Sequence, residues 1–154
     1  MTFEETVVRA FECRQIPREL IERSGGSWPA SDEEDAEWFR LKNWRDITWQ
    51  DWMMHSSAVF VFTNDALAYY LPSLLILSSQ NTDDWLIAAD SFIRVLASVI
   101  ADDGLNKTNK SNCIGFRREE REVIKEWLLL LKGTESYDNA FDAVRLDQAL
   151  KVMD

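Results

Sequence analysis

A chain of 154 residues is the length of one domain and can bury roughly 70% of its unfolded surface, so it needs no disulfide or metal to fold. Apolar residues at 46% and charged residues at 29% exclude global disorder, and seven Trp with eight Phe supply a large aromatic core. A formal net charge of −10 argues against nucleic acid and anionic membranes as partners and favours encounter with basic ones; it also serves plain solubility.

Cys13 and Cys113 are too few for a disulfide framework and form no CxxC spacing, which fits free thiols in a reducing cytoplasm. The acidic start Met1-Thr2-Phe3-Glu4-Glu5 is unlike a signal peptide. The apolar runs Leu74–Leu77 and Trp127–Leu131 are far shorter than a bilayer span. The expected location is cytoplasmic.

In chain order, Thr2 caps a first predicted helix from Phe3 to about Arg14, with Phe3, Val7 and Phe11 on one face. Pro17 opens a short second helix through Arg23, and Ser24 to Pro29 is a loop by composition. Ser31, followed by Asp32-Glu33-Glu34-Asp35, reads as a cap with acids in the first turn of a helix carrying Trp38, Phe39 and Leu41. Thr48, with Asp51 three residues on, caps another short helix in a Trp-rich stretch.

Ala58 to Phe62 has strand composition but no convincing partner strand, so it reads as a buried helical turn or an extended connector. Thr63 or Asn64 caps a helix from Asp65 to Tyr70 that kinks or restarts at Pro72, whose nitrogen cannot bond the carbonyl of Ala68. Thr82 with Asp83 and Asp84 starts the clearest helix, carrying Trp85, Ala89, Phe92, Leu96 and Val99, which Asp102-Asp103-Gly104 ends. Arg117 to Lys132 is another helix, with Val123, Ile124, Trp127, Leu128 and Leu131 inward and Gly133 at its C-terminal cap.

The last predicted helix, Tyr137 to about Met153, has two apolar faces. Tyr137, Phe141 and Val144 share one, and Leu146, Leu150 and Met153 share the other. Such a helix breaks near Arg145, is buried on both sides, or offers its second face to a partner. The expected fold is all-α: one domain over residues 1–154, a bundle of about six to seven helices with one broken at Pro72.

Chemistry leaves few marks. His55 is the single histidine, with no HExxH, HxE or CxxC nearby, and no GxSxG elbow is present. Gly25-Gly26 lacks the Lys-Ser or Lys-Thr of a phosphate loop, and Asp102-Asp103-Gly104 lacks the twelfth-position acid of a calcium loop. No catalytic, cofactor-binding or metal-binding set is expected.

Charge is the visible feature. Asp32 to Glu37 holds five acids in six residues. Between Trp28 and Gly104 there are thirteen acids against four bases, whereas Leu105 to Lys132 holds seven bases against four acids. That basic strip, led by Arg117, Arg118 and Arg121, lacks the interleaved aromatics that stack on bases, so nucleic-acid binding is not expected. The candidate partner-binding residues are Asp32, Glu33, Glu34, Asp35, Glu37, Asp83 and Asp84. A solvated helix start is the plainer reading of the same acids.

Val61-Phe62-Thr63-Asn64-Asp65-Ala66-Leu67-Ala68-Tyr69-Tyr70-Leu71-Pro72 resembles the signature of a family of small bacterial proteins of unknown function. That signature runs apolar-Phe-Leu-Thr-Pro-Glu-Ala-aromatic-x-Tyr-Tyr-Leu-Pro, and Trp44-Arg45-Asp46-Ile47 is similar to its upstream Trp-x-x-Ile. The helix from Phe116 to Leu131 is similar to the family's final helix, so the likeness spans about residues 32 to 132. Asn64 stands where that family commonly has Pro, Arg118 where it has a capping Thr, and Arg121 near its usual Gln. The resemblance implies a bacterial, cytoplasmic helical domain; on physical grounds Tyr69, Tyr70 and Pro72 need no catalytic role, since a proline break flanked by two aromatics fixes helix segments at an angle.

The functional expectation is a non-enzymatic binding protein, an immunity protein that neutralises a basic toxin by complementary charge. The alternatives are a small hydrolase working through His55 and carboxylates, and a structural or regulatory subunit that dimerises through its C-terminal helix.

Overall fold

The computed structural model describes residues 1–21, 29–81, 87–102, 115–134 and 140–153, without the side chains of 98–102 and 140–143. Among the described residues the fold is all-α. Its helices are α1 (Phe3–Phe11), α2 (Ala30–Trp38), α3 (Trp49–Met54), α4 (Ala58–Val61), α5 (Asn64–Gln80), α6 (Ile87–Asp102), α7 (Arg118–Lys132) and α8 (Ala140–Met153), with a 3-10 turn at Trp44–Asp46.

Local chemistry accounts for the helix starts. In α1 the Glu5 amide donates to the Thr2 hydroxyl at 3.1 Å while the Thr2 amide donates to the Glu5 carboxylate at 2.8 Å, so two otherwise bare donors are satisfied. Thr48 and Asp51 repeat this reciprocal pair at the start of α3, at 3.2 and 2.9 Å. Thr63 caps α5 by accepting the Ala66 amide at 3.1 Å. α2 differs from its expectation. It begins one residue before Ser31, and the carbonyl of Pro29 accepts the Asp32 and Glu33 amides at 3.0 and 3.3 Å, so Ser31 lies inside the first turn.

α5 is the spine, packed by α1, α3, α6 and α7. Of the two alternatives at Pro72, the chain takes the continuous one: a single helix runs through the ring rather than restarting there. The ring removes one backbone donor, and Leu71, Leu74 and Leu75 beside it are buried, so surrounding packing holds the helix across the gap. Two indoles lean on α5 hydroxyls. Trp52 Nε1 donates to Ser73 Oγ at 2.9 Å, and Trp127 Nε1 donates to Ser78 Oγ at 2.8 Å. Each serine passes its own proton to α5, Ser73 to the Tyr70 carbonyl and Ser78 to the Leu74 carbonyl. A buried tryptophan donor is thereby matched without loosening the helix.

Two further expectations are revised. Pro17 opens no helix over its described part, residues 17–21. The segment runs extended: Thr63 donates its amide to the Leu20 carbonyl at 2.9 Å and its hydroxyl to the Glu19 carbonyl at 2.8 Å, and Ile21 bridges Phe62. Leu41 falls beyond the end of α2, at φ 61° and 80% exposed, in the left-handed position that normally favours Gly or Asn.

In α8 the face of Leu146, Leu150 and Met153 is the inward one, because α8 packs on α6 and α7. Leu146 and Met153 are buried, Leu150 packs against the core, and Val144 faces solvent. Tyr137 and the Phe141 side chain lie outside the described residues, as do the helix start at Thr82 to Asp84, the Ser24 to Trp28 loop and Cys113.

Leu74, Phe92 and Trp127 are each 0% exposed in one continuous core. Truncating any of them to Ala is expected to cost about 2–5 kcal/mol through lost burial and the cavity left behind. Urea titration of the three variants checks this, and losses below about 1 kcal/mol at all three would remove them from the core.

Candidate functional site

The acids read as a partner surface do not share one fate. Asp32, Glu33 and Glu34 lie in the first two turns of α2, with Glu33 and Glu34 exposed and Asp32 partly so, and none of the three side chains pairs with a described cation. Glu37 is engaged: Arg40 binds both its carboxylate oxygens, at 2.6 and 2.7 Å, on the surface. Asp83 and Asp84 lie outside the described residues.

Asp35 turns inward. His55 ends α3 and Ser57 precedes α4, which places both against the inner side of α2. His55 Nδ1 lies 3.0 Å from Asp35 Oδ1, and the Ser57 hydroxyl donates to Asp35 Oδ2. The Trp38 ring stacks on the His55 ring, centroids 4.4 Å apart and planes 17° apart, and Phe39 meets it edge-on. In a serine-histidine-acid triad the hydroxyl bonds the imidazole, which takes its proton, and the acid holds the far ring nitrogen. Here the acid takes the hydroxyl as well. Asp35 therefore joins α2 to the α3–α4 turn, and Ser57 gives its proton to a carboxylate rather than to the base.

A second cluster was not singled out from the sequence. Glu120 has no exposed surface. Arg14 grips it with two bonds, Nε to Oε2 at 2.6 Å and Nη2 to Oε1 at 2.7 Å, and Nη2 also donates to the Gly115 carbonyl at 2.9 Å. The Arg117 amide adds a bond to Oε1 at 2.7 Å, and its guanidinium approaches both oxygens at 3.4 Å. Burial pushes the Glu120 carboxyl up, but the bonds from Arg14 and Arg117 outweigh it and hold the group below its ordinary value. The local signal was a glutamate three residues after the helix-start position 117. Arg14 is 106 residues away, so no spacing rule links the two.

This clamp frames a groove between α1 and α7. The cavity is about 370 Å³, with Ala10 and Val123 on its apolar side and Glu12, Glu119, Glu122 and Glu126 around it. A second cleft of about 510 Å³ includes Cys13, Arg14, Arg18, Asp65 and Arg117. Among the described residues, no group of three His, Cys, Asp or Glu side chains could hold a metal ion, and no helix is long and apolar enough to cross a membrane.

The Tyr-Tyr-Leu-Pro segment has a structural use. Burial pushes the Tyr70 phenol above its ordinary value and keeps its proton on. That hydroxyl reaches the carbonyls of Phe39 at 2.5 Å and Lys42 at 2.9 Å, and so secures the turn that carries Leu41. No family model matches this chain, and no curated protein or solved structure matches it either.

Two measurements separate inward acids from outward ones. Asp35→Ala is expected to cost about 1–3 kcal/mol, because His55 and Ser57 lose their shared partner, whereas Asp32→Ala on the same helix stays within about 0.5 kcal/mol. Equal, small losses in urea titration would make Asp35 a free surface acid. For Glu120 the folded carboxyl titrates below its unfolded value of about 4.3. Its stabilisation is therefore complete above that pH and is lost as pH falls through the folded value. Glu120→Gln is expected to be less stable than wild type by about 3–5 kcal/mol near neutrality. That gap narrows on acidification below about pH 4, and a constant gap across the acid range would refute the clamp.

Proposed function

We propose that this chain is a non-enzymatic binding protein of the immunity type, which neutralises a basic toxin by direct contact. The observation that carries this reading is the unpaired acidity of its surface. Asp32, Glu33 and Glu34 face solvent without a described cation, within a chain of net charge −10. Such a surface raises the rate of encounter with a cationic protein and disfavours anionic partners.

A hydrolase is supported by one observation, the Asp35–His55 pair, since an acid on Nδ1 leaves Nε2 as the reacting nitrogen. Against it stands the Ser57 hydroxyl, bonded to the acid rather than to the imidazole. Dimerisation through the Leu146–Met153 face has less support, because that face packs inside the chain.

The reading expects a gene for a basic secreted toxin beside this one, and the test uses the product of that gene. The wild-type chain is expected to protect cells from it and to associate at a rate that falls steeply with added salt. Reversing Asp32, Glu33 and Glu34 to Lys slows association and leaves the melting temperature almost unchanged, because exposed helix-start charges contribute only about 0.3–1 kcal/mol each. Surface plasmon resonance at low and high salt reads both effects. No protection, or an association rate indifferent to salt and to charge reversal, would reject the proposal. His55→Ala is expected to protect as well as wild type when its fold survives; a thousandfold loss with unchanged stability would favour the hydrolase.

A further inference from the structure

The start of α2 offers charge on a convex surface, whereas the groove between α1 and α7 offers charge together with shape. Val123 is buried and Ala10 half-buried, which gives the groove an apolar floor of small side chains. Glu119, Glu122 and Glu126 stand three and four residues apart on α7, along one face that extends about 10 Å. Glu12 faces them from the end of α1, and among the described residues Arg9 is the one base lining the groove.

Three of these four carboxylates are not engaged elsewhere in the described structure, and the fourth is held only at the surface. Glu12, Glu119 and Glu126 make no ion pair with a described residue, and Glu122 meets Arg118 at 3.3 Å with both side chains more than half exposed. The walls are also fixed in advance. Arg14 ties the chain just past α1 to Glu120 of α7, and Arg117 donates to the Ala10 carbonyl at 3.4 Å. A partner therefore does not have to order the two helices, and that lowers the entropic cost of docking.

We infer that the α1–α7 groove docks an amphipathic basic segment of a protein partner, one that presents Arg or Lys side chains about one helical turn apart. Methylene stems lie along Ala10 and Val123 while the cationic heads reach the glutamate rim. Arginine suits the rim better than lysine because its planar fork can take a carboxylate through two bonds. The same field opposes nucleic acid and anionic lipid as occupants. This inference rests on the reading of the chain as a binder of basic protein and assigns that reading a place.

The test is an amide NMR titration of the full chain with a helical peptide of repeating Leu, Ala, Arg and Lys, and with a control peptide in which Glu replaces both bases. Shifts are expected to concentrate at Thr6, Ala10, Val123 and Glu126 with the basic peptide only. The triple variant Glu12→Gln, Glu119→Gln, Glu126→Gln is expected to weaken binding about tenfold. The variant Asp46→Asn, Asp65→Asn, Asp147→Asn removes the same charge at exposed positions outside both α2 and the groove and is expected to stay within about twofold, which controls for net charge. Melting curves confirm that both variants fold.

Shifts centred on α2, equal weakening by both variants, or no binding of the basic peptide at low salt would overturn the groove. Protection from the toxin separates the two claims. If the groove variant protects fully while reversal of Asp32, Glu33 and Glu34 to Lys abolishes protection, the groove is wrong and the binding function stands. If the peptide docks in the groove but no basic toxin is bound, the groove stands and the immunity reading falls.

Discussion

A carboxylate with no exposed surface must be matched by donors that reach it, and Glu120 is matched on both sides. Arg14 closes on it from beyond α1, and Arg117 closes on it from the start of its own helix. Removing either partner leaves the buried charge only partly compensated, which is more damaging than losing a surface pair. The clamp thus fixes how α1 meets α7, and with it the width of the groove between them. It also sets the approach to α7, since Gly115 offers its carbonyl to Arg14 from a left-handed backbone at φ 75° and delivers Phe116 into the core.

Elsewhere in the described interior, several buried polar side chains are paired on or close to α5. Trp52 and Trp127 approach this helix at different heights and find Ser73 and Ser78. Tyr70 sends its hydroxyl outward to the backbone of the turn after α2. That turn is also held by Lys42, which donates to the Trp38 carbonyl and lies over the Trp38 ring at 4.1 Å. The ring in turn covers His55. Asp35, His55, Trp38, Lys42 and Tyr70 form a connected set through which α2 is seated on α3, α4 and α5, and the left-handed Leu41 is tolerated because the residues on either side of it are anchored.

The acids divide by how the helices are packed. Glu120 and Asp35 are drawn in and paired, Glu37 is neutralised beside its own helix, and Asp32, Glu33, Glu34, Glu12, Glu119 and Glu126 remain on the outside. A count along the chain weighs these side chains equally. Only the outward group contributes to a field that a partner can meet.

The sequence by itself determined the all-α class, the cap at Thr2 and the cap at Thr48 with Asp51 three residues on, and the inward stripe Val123, Ile124, Trp127, Leu128 and Leu131. Those features depend on contacts within one helical turn or on the 3.6-residue period, and both are written locally. It misplaced a helix at Pro17, because hydrogen bonds from Thr63 hold the described part of that segment in place, and it left open a kink or a restart at Pro72, where packing around α5 carries one helix across the missing donor. Which face of α8 turns inward, which acids are buried, and where a groove opens were decided by the tertiary structure alone. Arg14 and Glu120, Asp35 and His55, and Ala10 and Val123 are brought together by folding, and no periodicity encodes a meeting between residues that far apart in the chain.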